Sequence, residues 1–404
     1  MYRVGRFDFA RKGPLSQDFL VVLLLYLVAD AGRRGYRLLL ESFWNDARKA
    51  GLPLPSEKPL SAPALCNARA KLSSDVFEHL LSSVTARFRD AFGGCRWEGR
   101  RVLATDGTWI TTQRSDELAR AFGVPSQGYC PQVLFTVLYD AVGLVPMAAT
   151  VTGCNGSERA ELAELLDHIE PGDVLVLDRG YPSFAVFRTL VDRGIDFLVR
   201  VPTTSTFEGV ELLRQSPGKD YRVLLRDPKK HWPPLELRAV EIDVGGPEPL
   251  YFITSLRRSA YSRKQLATLY RLRWTEEEFF KAFKRAELSL GQMHAKSVNG
   301  VKQELFASLV YWAIARYLLA AAGEIHDVAH AQLSPKAGAI ALGDTIVELL
   351  LATDHAAARP PILAVLDRLQ TARIPYRPDR SYPRRSFKPQ PKWGPKGRRG
   401  RDGG

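Results

Sequence analysis

Cysteine is scarce in this sequence, and no two cysteines are spaced as a pair of metal ligands. The four cysteines, Cys66, Cys95, Cys130 and Cys154, lie far apart and form no C-x-x-C motif. This distribution argues against a disulfide framework and against a cysteine zinc site, and it is typical of a protein from a reducing compartment. The P-loop and the G-x-G-x-x-G motif, two common nucleotide-binding loops, are also absent from the sequence.

Long hydrophobic runs are lacking as well. The longest early run, from Phe19 to Ala29, has eleven residues, whereas a membrane-spanning helix needs about 20. Neither the start nor the cleavage pattern of a signal peptide accompanies this run. The run is therefore predicted to be a buried core helix, and we expect a cytoplasmic protein with no membrane partner.

Positive charge is abundant, but most of it lies in one short segment. The formal net charge is +13, and eleven Lys or Arg residues and two Asp residues lie between Arg373 and Gly404. This segment is also rich in Pro and Gly, so residues 373–404 are predicted to form a disordered basic tail. Such a tail either contacts phosphates without sequence preference or has no partner.

Residues 1–98 have a helical pattern. Ser61 and either Ser73 or Ser74 are in positions to cap two successive helices. The short break between these helices is compatible with a helical DNA-binding domain, in which Arg69 and Lys71 are exposed. A plain helical bundle is an equally good interpretation of the same pattern.

The pattern changes after Gly99 to strands and helices of a mixed α/β sheet. Three strands, a helix, a strand, a helix and a strand are predicted in residues 99–202, with a hairpin turn from Asp140 to Gly143. Residues 203–256 contain strand-like pieces between Gly and Pro turns and are predicted to be a β-rich insertion. Residues 257–323 are expected to hold a glutamate-containing helix and the end of the core, and residues 324–372 further helices.

Two aspartates occupy positions where a carboxylate is costly. Asp106 is predicted to end the first strand. Asp178 is predicted to end the apolar strand formed by residues 174–178, and a carboxylate at the end of such a strand is costly unless it is paired or bound to a cation. If these strands are neighbours, the two carboxylates lie close together and favour a divalent cation between them. Mg²⁺ prefers oxygen ligands, and two such ions about 3.5–4 Å apart support phosphodiester cleavage. The local alternatives are that Asp106 caps the turn at Gly107, and that Asp178 pairs with Arg179.

A third carboxylate comes from the segment Leu269–Arg285, which is predicted to be one helix. At about 100° per residue, Tyr270, Arg273, Trp274, Glu277 and Lys284 share one side of it. Glu276 and Glu278 fall on either side of this stripe, so Glu277 is the candidate ligand. The alternative is a surface helix with salt bridges between its turns.

With these residues the sequence resembles the DDE-type cut-and-paste transposases of insertion sequences, a family that has a ribonuclease-H-like fold. Within that family the sequence is similar to the group whose glutamate helix carries Y-x2-R-x3-E-x6-K, here Tyr270, Arg273, Glu277 and Lys284. "DGT" at 106–108, "DRGY" at 178–181 and Trp274 after Arg273 extend the resemblance, which covers roughly residues 15–320.

The resemblance implies a role for each motif residue. Asp106, Asp178 and Glu277 are expected to be catalytic and to bind Mg²⁺, for which Mn²⁺ substitutes. Tyr270, Arg273 and Lys284 are expected to hold DNA phosphates, and Trp274 to stack on a base pulled out of the duplex.

The implied function is a prokaryotic DNA transposase associated with the nucleoid. It is expected to bind the terminal inverted repeats of its element and the target DNA as a homodimer on paired ends. It would cut by two-metal hydrolysis and join by transesterification. An inactive transposase-derived DNA-binding protein and a metal-dependent nuclease without strand transfer remain alternatives. A glycosidase with paired carboxylates is remote, because the basic residues beside Glu277 have no use there.

Overall fold

A mixed sheet of eight strands forms the centre of the computed structural model. The structure describes residues 2–5, 8–9, 15–30, 35–93, 95–126, 128–215, 219–227, 229, 231–243, 250–284 and 293–374. The strands are β1 Val102–Thr111, β2 Gln132–Asp140, β3 Val145–Gly153, β4 Val174–Leu177, β5 Asp196–Val201, β6 Asp220–Leu225, β7 Leu235–Ile242 and β8 Leu250–Thr254. Apolar and β-branched residues dominate these segments, as a sheet with both faces covered requires.

Helices precede, interrupt and follow the strands. They are α1 Gln17–Ala29, α2 Tyr36–Lys49, α3 Ala62–Lys71, α4 Asp75–Phe92, α5 Asp116–Phe122, α6 Glu158–Leu165, α7 Phe184–Asp192, α8 Glu208–Gln215, α9 Arg263–Leu272, α10 Trp274–Lys284, α11 Val298–Ile325, α12 Pro335–Leu351 and α13 His355–Leu369. Ser61 caps α3 through its side chain as predicted, and Ser74 is the residue that precedes α4. The short helix α5 was not predicted.

The strand order is β3-β2-β1-β4-β5-β8-β7-β6. Strands β1, β2 and β3 are antiparallel neighbours, whereas β1–β4 and β4–β5 are parallel. The predicted mixed α/β sheet is confirmed, and the condition set for the two aspartates is met, because the first and fourth strands are neighbours. The three strands in residues 203–256 continue this sheet through the antiparallel β5–β8 pair.

Helices cover both faces of the sheet. Phe279 and Phe283 of α10 stack on Tyr139 and Phe135 of β2, with ring centroids 5.0 and 5.7 Å apart. This face also receives α1, α4 and α11, whereas α6 and α7 pack on the other face. Because two aromatic pairs fix α10 against β2, its glutamates are held at a defined position over the sheet.

One helix in the described part of the chain, α11, is long and apolar enough to cross a membrane. In the structure 83% of its apolar window is buried within the protein. Helix α11 is therefore the central core helix, and the run in α1 packs into the same core. The prediction that the early apolar run is a buried core helix is thus confirmed.

The expectation that Arg69 is exposed was wrong. Its side chain is buried, its Nη1 lies 3.0 Å from Glu304 Oε1, and its Nε donates to Gln303 Oε1 at 3.1 Å. Arg69 therefore joins α3 to α11 inside the protein, whereas Lys71 is exposed as expected. The error arose because a polar residue on a short helix was placed toward solvent, when a buried glutamate of a distant helix was available to pair with it.

Replacing Arg69 with methionine is expected to destabilise the protein by about 3–5 kcal/mol, because Glu304 is left buried without its partner. Thermal unfolding of the variant measures this as a lower midpoint. Arg37→Met is the matched control, since the Arg37–Glu41 pair lies on the surface and Arg37 is 88% exposed. A surface pair of this kind contributes under about 1 kcal/mol. Equal midpoints for the two variants would contradict the assigned role of Arg69.

The contacts divide the chain into residues 1–373 and residues 374–404. The described sheet and helices all belong to the first unit. From residue 375 onward, the predicted basic tail lies outside the described residues. The finer boundaries at 98, 202, 256 and 323 remain predictions.

Candidate active site

Asp106 and Asp178 lie side by side on neighbouring parallel strands. The β1–β4 register pairs Ala104 with Val176, so the two aspartates are each two residues further along. Asp178 directly follows β4 as predicted. Asp106, in contrast, lies in the middle of β1, because that strand continues to Thr111 along β2.

The two aspartates oppose each other electrostatically. The pKa of Asp106 is raised to about 6, mainly by burial and then by the negative charge of Asp178. A hydrogen bond from the Gly107 backbone N–H acts in the opposite direction and lowers this pKa. Asp106 Oδ1 accepts a hydrogen bond from the Gly107 N–H at 2.9 Å, and Asp178 Oδ1 accepts one from the Gly180 N–H at 2.6 Å. Two neighbouring carboxylates, one of them buried with a raised pKa, form an arrangement that a divalent cation neutralises.

The segment that carries Glu277 is two helices, and the prediction of one continuous helix was wrong. Helix α9 ends at Leu272 and α10 begins at Trp274, with Arg273 between them. The Glu276 N–H bonds to the Arg273 carbonyl at 3.1 Å, which is the tighter i to i+3 pattern of a turn. The Thr275 hydroxyl is 3.2 Å from the Ala141 carbonyl and ties the start of α10 to the β2–β3 turn.

Arg273 and Glu277 form an ion pair across this junction. Arg273 Nη2 donates to Glu277 Oε1 at 2.5 Å, and the side chains are 8% and 29% exposed. The guanidinium carbon also lies 5.5 Å from the centre of the Tyr270 ring. The charge of Glu277 contributes to the raised pKa of Asp106. The three predicted carboxylates therefore lie near one another, and the Arg273 guanidinium holds Glu277 in an ion pair.

Glu276 is buried, although it was assigned to the side of the functional stripe. It is fully inaccessible, and neither carboxylate oxygen has a hydrogen-bond partner among the described residues. Burial raises its pKa well above the usual range, and Asp106 raises it further. With Phe279, Phe280 and Phe283 it forms an i, i+3, i+4, i+7 pattern, which marks the buried face of a helix. That pattern was readable in the sequence.

Sequence reasoning missed Glu158, the first residue of α6. A Cβ placed on Gly107 would lie 2.6 Å from Glu158 Oε1, so this carboxylate rests directly against the strand beside Asp106. Burial raises the pKa of Glu158 to about 7, with further contributions from Asp106 and Asp178. The only sequence signal was an acidic residue after the Ser157 cap, which is also ordinary at a helix start.

The predicted DNA-contacting residues differ in accessibility. Trp274 is 41% exposed at the start of α10. Tyr270 is 1% exposed and packs edge-on against Phe252, with centroids 4.6 Å apart. Lys284 ends α10, and its side chain lies outside the described residues. The structure thus presents Trp274 to solvent but places the Tyr270 ring beneath Arg273.

As placed, no three His, Cys, Asp or Glu side chains among the described residues form a ready set of metal ligands. Asp106 and Asp178 face backbone N–H groups, and Glu277 faces Arg273. The donor set nevertheless suits a divalent cation that prefers oxygen ligands, since it consists of carboxylate oxygens. Both oxygens of the buried Glu276, next to Glu277 on α10, lack a hydrogen-bond partner among the described residues.

A shallow pocket of about 350 Å³ opens beside Glu158 and is also lined by Trp109, Arg159 and Gly180 among others. A much larger pocket of about 1170 Å³ includes Asp196, Asp220 and Arg238. Asp196 begins β5, so this larger pocket lies at the opposite end of the parallel strands from Asp178. Of these two pockets, the smaller one is lined by Glu158 and by Gly180, two residues after Asp178.

A known protein family matches the part of the chain that contains the three carboxylates. The sequence matches the family described as Transposase DDE domain over residues 97–314, more than half of the chain. The chain belongs to the DDE transposase family. The matched region runs from the residues before β1 to the middle of α11, so it includes Asp106, Asp178 and Glu277.

Individual DDE transposases show more distant similarity. The chain is 23% identical over 279 residues to Transposase InsG for insertion sequence element IS4 of Escherichia coli (strain K12). The alignment covers 65% of this chain and 62% of that protein, so the chain spans less than two thirds of this relative.

Two solved transposase structures are also similar to parts of the chain. The piggyBac transposase synaptic complex with hairpin DNA has a TM-score of 0.46 and 10% identity, covering 93% of this chain and 82% of that one. The Mos1 transposase paired-end complex with left transposon end has a TM-score of 0.18 and 12% identity, covering 46% and 59%. Both scores are below 0.5, so these similarities establish no detail of the fold.

Proposed function

We propose that this DDE transposase cuts DNA at the ends of its insertion element and joins those ends to target DNA. The observation that carries the proposal is the placement of Asp106 and Asp178 on neighbouring strands, with Glu277 on the helix packed over them. Family membership, the raised pKa of Asp106 and the basic Arg273 beside Glu277 support it.

Asp106, Asp178 and Glu277 would hold Mg²⁺, or Mn²⁺ in its place. The bound metal would supply an activated nucleophile and stabilise the leaving oxygen. In hydrolysis a water oxygen forms the new bond to phosphorus, and the bond from phosphorus to the strand's 3′ oxygen breaks, which releases a 3′ hydroxyl. In joining, that hydroxyl attacks a target phosphodiester, and one ester bond replaces another.

Other residues of the junction would hold the DNA. Arg273 lies beside Glu277, so its fixed guanidinium suits a phosphate next to the cleaved bond. Tyr270 is buried beneath the Arg273 guanidinium, so it would act by supporting Arg273 rather than by contacting a phosphate itself. Lys284 is proposed as a phosphate contact from the family motif alone. The DNA partners are the terminal inverted repeats and the target, engaged by a homodimer on paired ends in the prokaryotic cytoplasm, at the nucleoid.

The function is tested with purified protein, Mg²⁺ and DNA carrying both flanks of its own gene. Cuts at inverted repeats, followed by joined products with a target plasmid, are expected. Cuts without joined products would instead identify a metal-dependent nuclease. Binding to the repeats without cutting would identify an inactive DNA-binding relative.

Trp274→Ala is expected to weaken binding of element-end DNA about 10- to 100-fold, since stacking on one base contributes about 1–3 kcal/mol. A DNA end with 2-aminopurine near the cleaved phosphate reports stacking as a change in fluorescence. Trp274→Phe keeps an aromatic face and should retain most of the binding. Unchanged binding and fluorescence in Trp274→Ala would remove this residue from the DNA interface.

A further inference from the structure

We infer that Glu158 is a fourth carboxylate of the metal site, an inference that rests on the proposed function. It begins α6 on the opposite face of the sheet from α10. The site would thus be closed from both faces, by Glu277 above the strands and by Glu158 below them. The ligand is a divalent cation that prefers oxygen donors, such as Mg²⁺ or Mn²⁺.

Two glycines allow Glu158 to reach this position. A Cβ on Gly107 would collide with Glu158, at 2.6 Å from Oε1 and 2.7 Å from Cγ. A Cβ on Gly180 would lie 3.0 Å from Asp178 Oδ1 and 3.6 Å from Glu158 Oε2. Asp178 Oδ1 and Glu158 Oε2 therefore both lie close to the position that a Cβ of residue 180 would take. These two oxygens are close enough for one hydrated cation to lie between them.

The environment of Glu158 is unfavourable for an uncompensated charge. Glu158 is half-buried, no described cation lowers its pKa, and only the Gly107 backbone N–H does so. Its neighbour Arg159 instead donates to the Gly180 carbonyl at 2.7 Å. A favourable helix start lowers the cost of a glutamate charge, yet burial and the two aspartates raise its pKa. A residue that served only to begin α6 would be better placed in solvent.

Buried polar groups without partners point to a missing ligand in the same cluster. Both oxygens of Glu276 and the hydroxyl of Tyr181 are buried and make no well-formed hydrogen bond to a described residue, although the Asp106 backbone and the Thr105 side chain lie near enough to lower their pKa values. The pKa of Tyr181 is raised well above its usual range by burial, then by Glu158 and Glu276. Tyr181 thus lies between carboxylates that approach from α6 and from α10. A cation with bound water would satisfy groups that the protein leaves unpaired.

The pocket beside Glu158 gives an entry route for the cation. It is about 350 Å³ in volume and open to solvent, and Trp109, Glu158 and Gly180 line it. A hydrated cation and a phosphate fit in this volume. Glu158 lines this pocket directly, so a cation that enters through it would meet the Glu158 carboxylate.

The test measures binding of Mn²⁺ alone to the full chain, by electron paramagnetic resonance of the free ion. Glu158→Gln is expected to weaken Mn²⁺ binding about tenfold or more. Glu164→Gln on the same helix is the control, because Glu164 is exposed, and its affinity should equal that of the unchanged protein. Glu158→Asp shortens the reach and should also weaken binding. Thermal unfolding without metal verifies that each variant folds.

The outcomes separate this inference from the proposed function. If Asp178→Asn weakens Mn²⁺ binding while Glu158→Gln and Glu158→Asp leave it unchanged, the proposed function stands and the fourth carboxylate is refuted. If Asp178→Asn also leaves binding unchanged, the metal site itself is wrongly placed. Loss of binding in both the Asp178 and Glu158 variants, with Glu164→Gln unaffected, is the result we expect.

Discussion

Asp178→Asn is expected to reduce Mg²⁺-dependent cleavage of element-end DNA at least about a thousandfold, which corresponds to about 4 kcal/mol of transition-state stabilisation. Asparagine keeps the shape of the side chain but removes the charge that would hold a cation beside Asp106. The loss should appear in the cleavage rate at saturating DNA, because the DNA contacts near α10 are unchanged.

The fold of this variant should be intact. Asp178 and Asp106 repel each other, as the pKa of Asp106 shows. Removing one of the two charges relieves that repulsion, so the thermal midpoint without metal should not fall. Asp192→Asn on α7 is the control, since Asp192 is 50% exposed and pairs with Arg188. Cleavage by Asp178→Asn within tenfold of the unchanged protein would remove this residue from the active site.

Glu277→Gln is expected to cause a loss of similar size, about a thousandfold in the cleavage rate. Glutamine leaves α10 and its aromatic contacts with β2 in place, and it removes the carboxylate that pairs with Arg273. Two functions are lost together: a ligand for the cation, and the partner that orients the guanidinium. Binding of element-end DNA should change far less than cleavage.

The neighbouring glutamates serve as controls for this change. Glu278 is 70% exposed and pairs with Lys281, so Glu278→Gln should cleave DNA at the normal rate. Glu276 is buried, and Glu276→Gln should alter thermal stability more than Glu278→Gln does. A result in which Glu278→Gln loses cleavage and Glu277→Gln retains it would show that α10 has been assigned the wrong face.

The sequence predicted the sheet well, because its signals there are local. The apolar strand before Asp178 and the hairpin at Asp140–Gly143 were both readable, and both are confirmed. The adjacency of β1 and β4 was only a condition at the level of sequence, because strand pairing is not a local signal, and the structure supplies it. The sequence motif also identified the strands and helix that bring Asp106, Asp178 and Glu277 together.

The features that were predicted wrongly or missed depend on contacts between elements that are distant in the sequence. Arg69 appeared exposed because nothing near it in sequence reveals Glu304, which lies 235 residues further along. The position of Glu158 depends on the glycines of two other segments. The break between α9 and α10 was hidden because Arg273 and Trp274 are both acceptable in a helix, and only packing separates the two.

Glu276 differs from these cases. The buried stripe with Phe279, Phe280 and Phe283 is visible in the sequence, but Glu276 was placed only relative to the stripe of Tyr270, Arg273 and Glu277, and its burial was not predicted. The structure shows that aromatic packing of α10 on β2 decides the rotation of the helix. The carboxylate is carried into the interior as a consequence.

The most direct test of the metal site is a structure of the protein bound to its element-end DNA with Mn²⁺, located by anomalous scattering. We predict a Mn²⁺ peak within about 2.3 Å of carboxylate oxygens of both Asp106 and Asp178. The scissile phosphate should lie beside it, with the Glu277 carboxylate turned toward the metal. A Mn²⁺ peak elsewhere, or DNA whose ends lie away from β1 and β4, would contradict the assignment of these strand ends as the catalytic site.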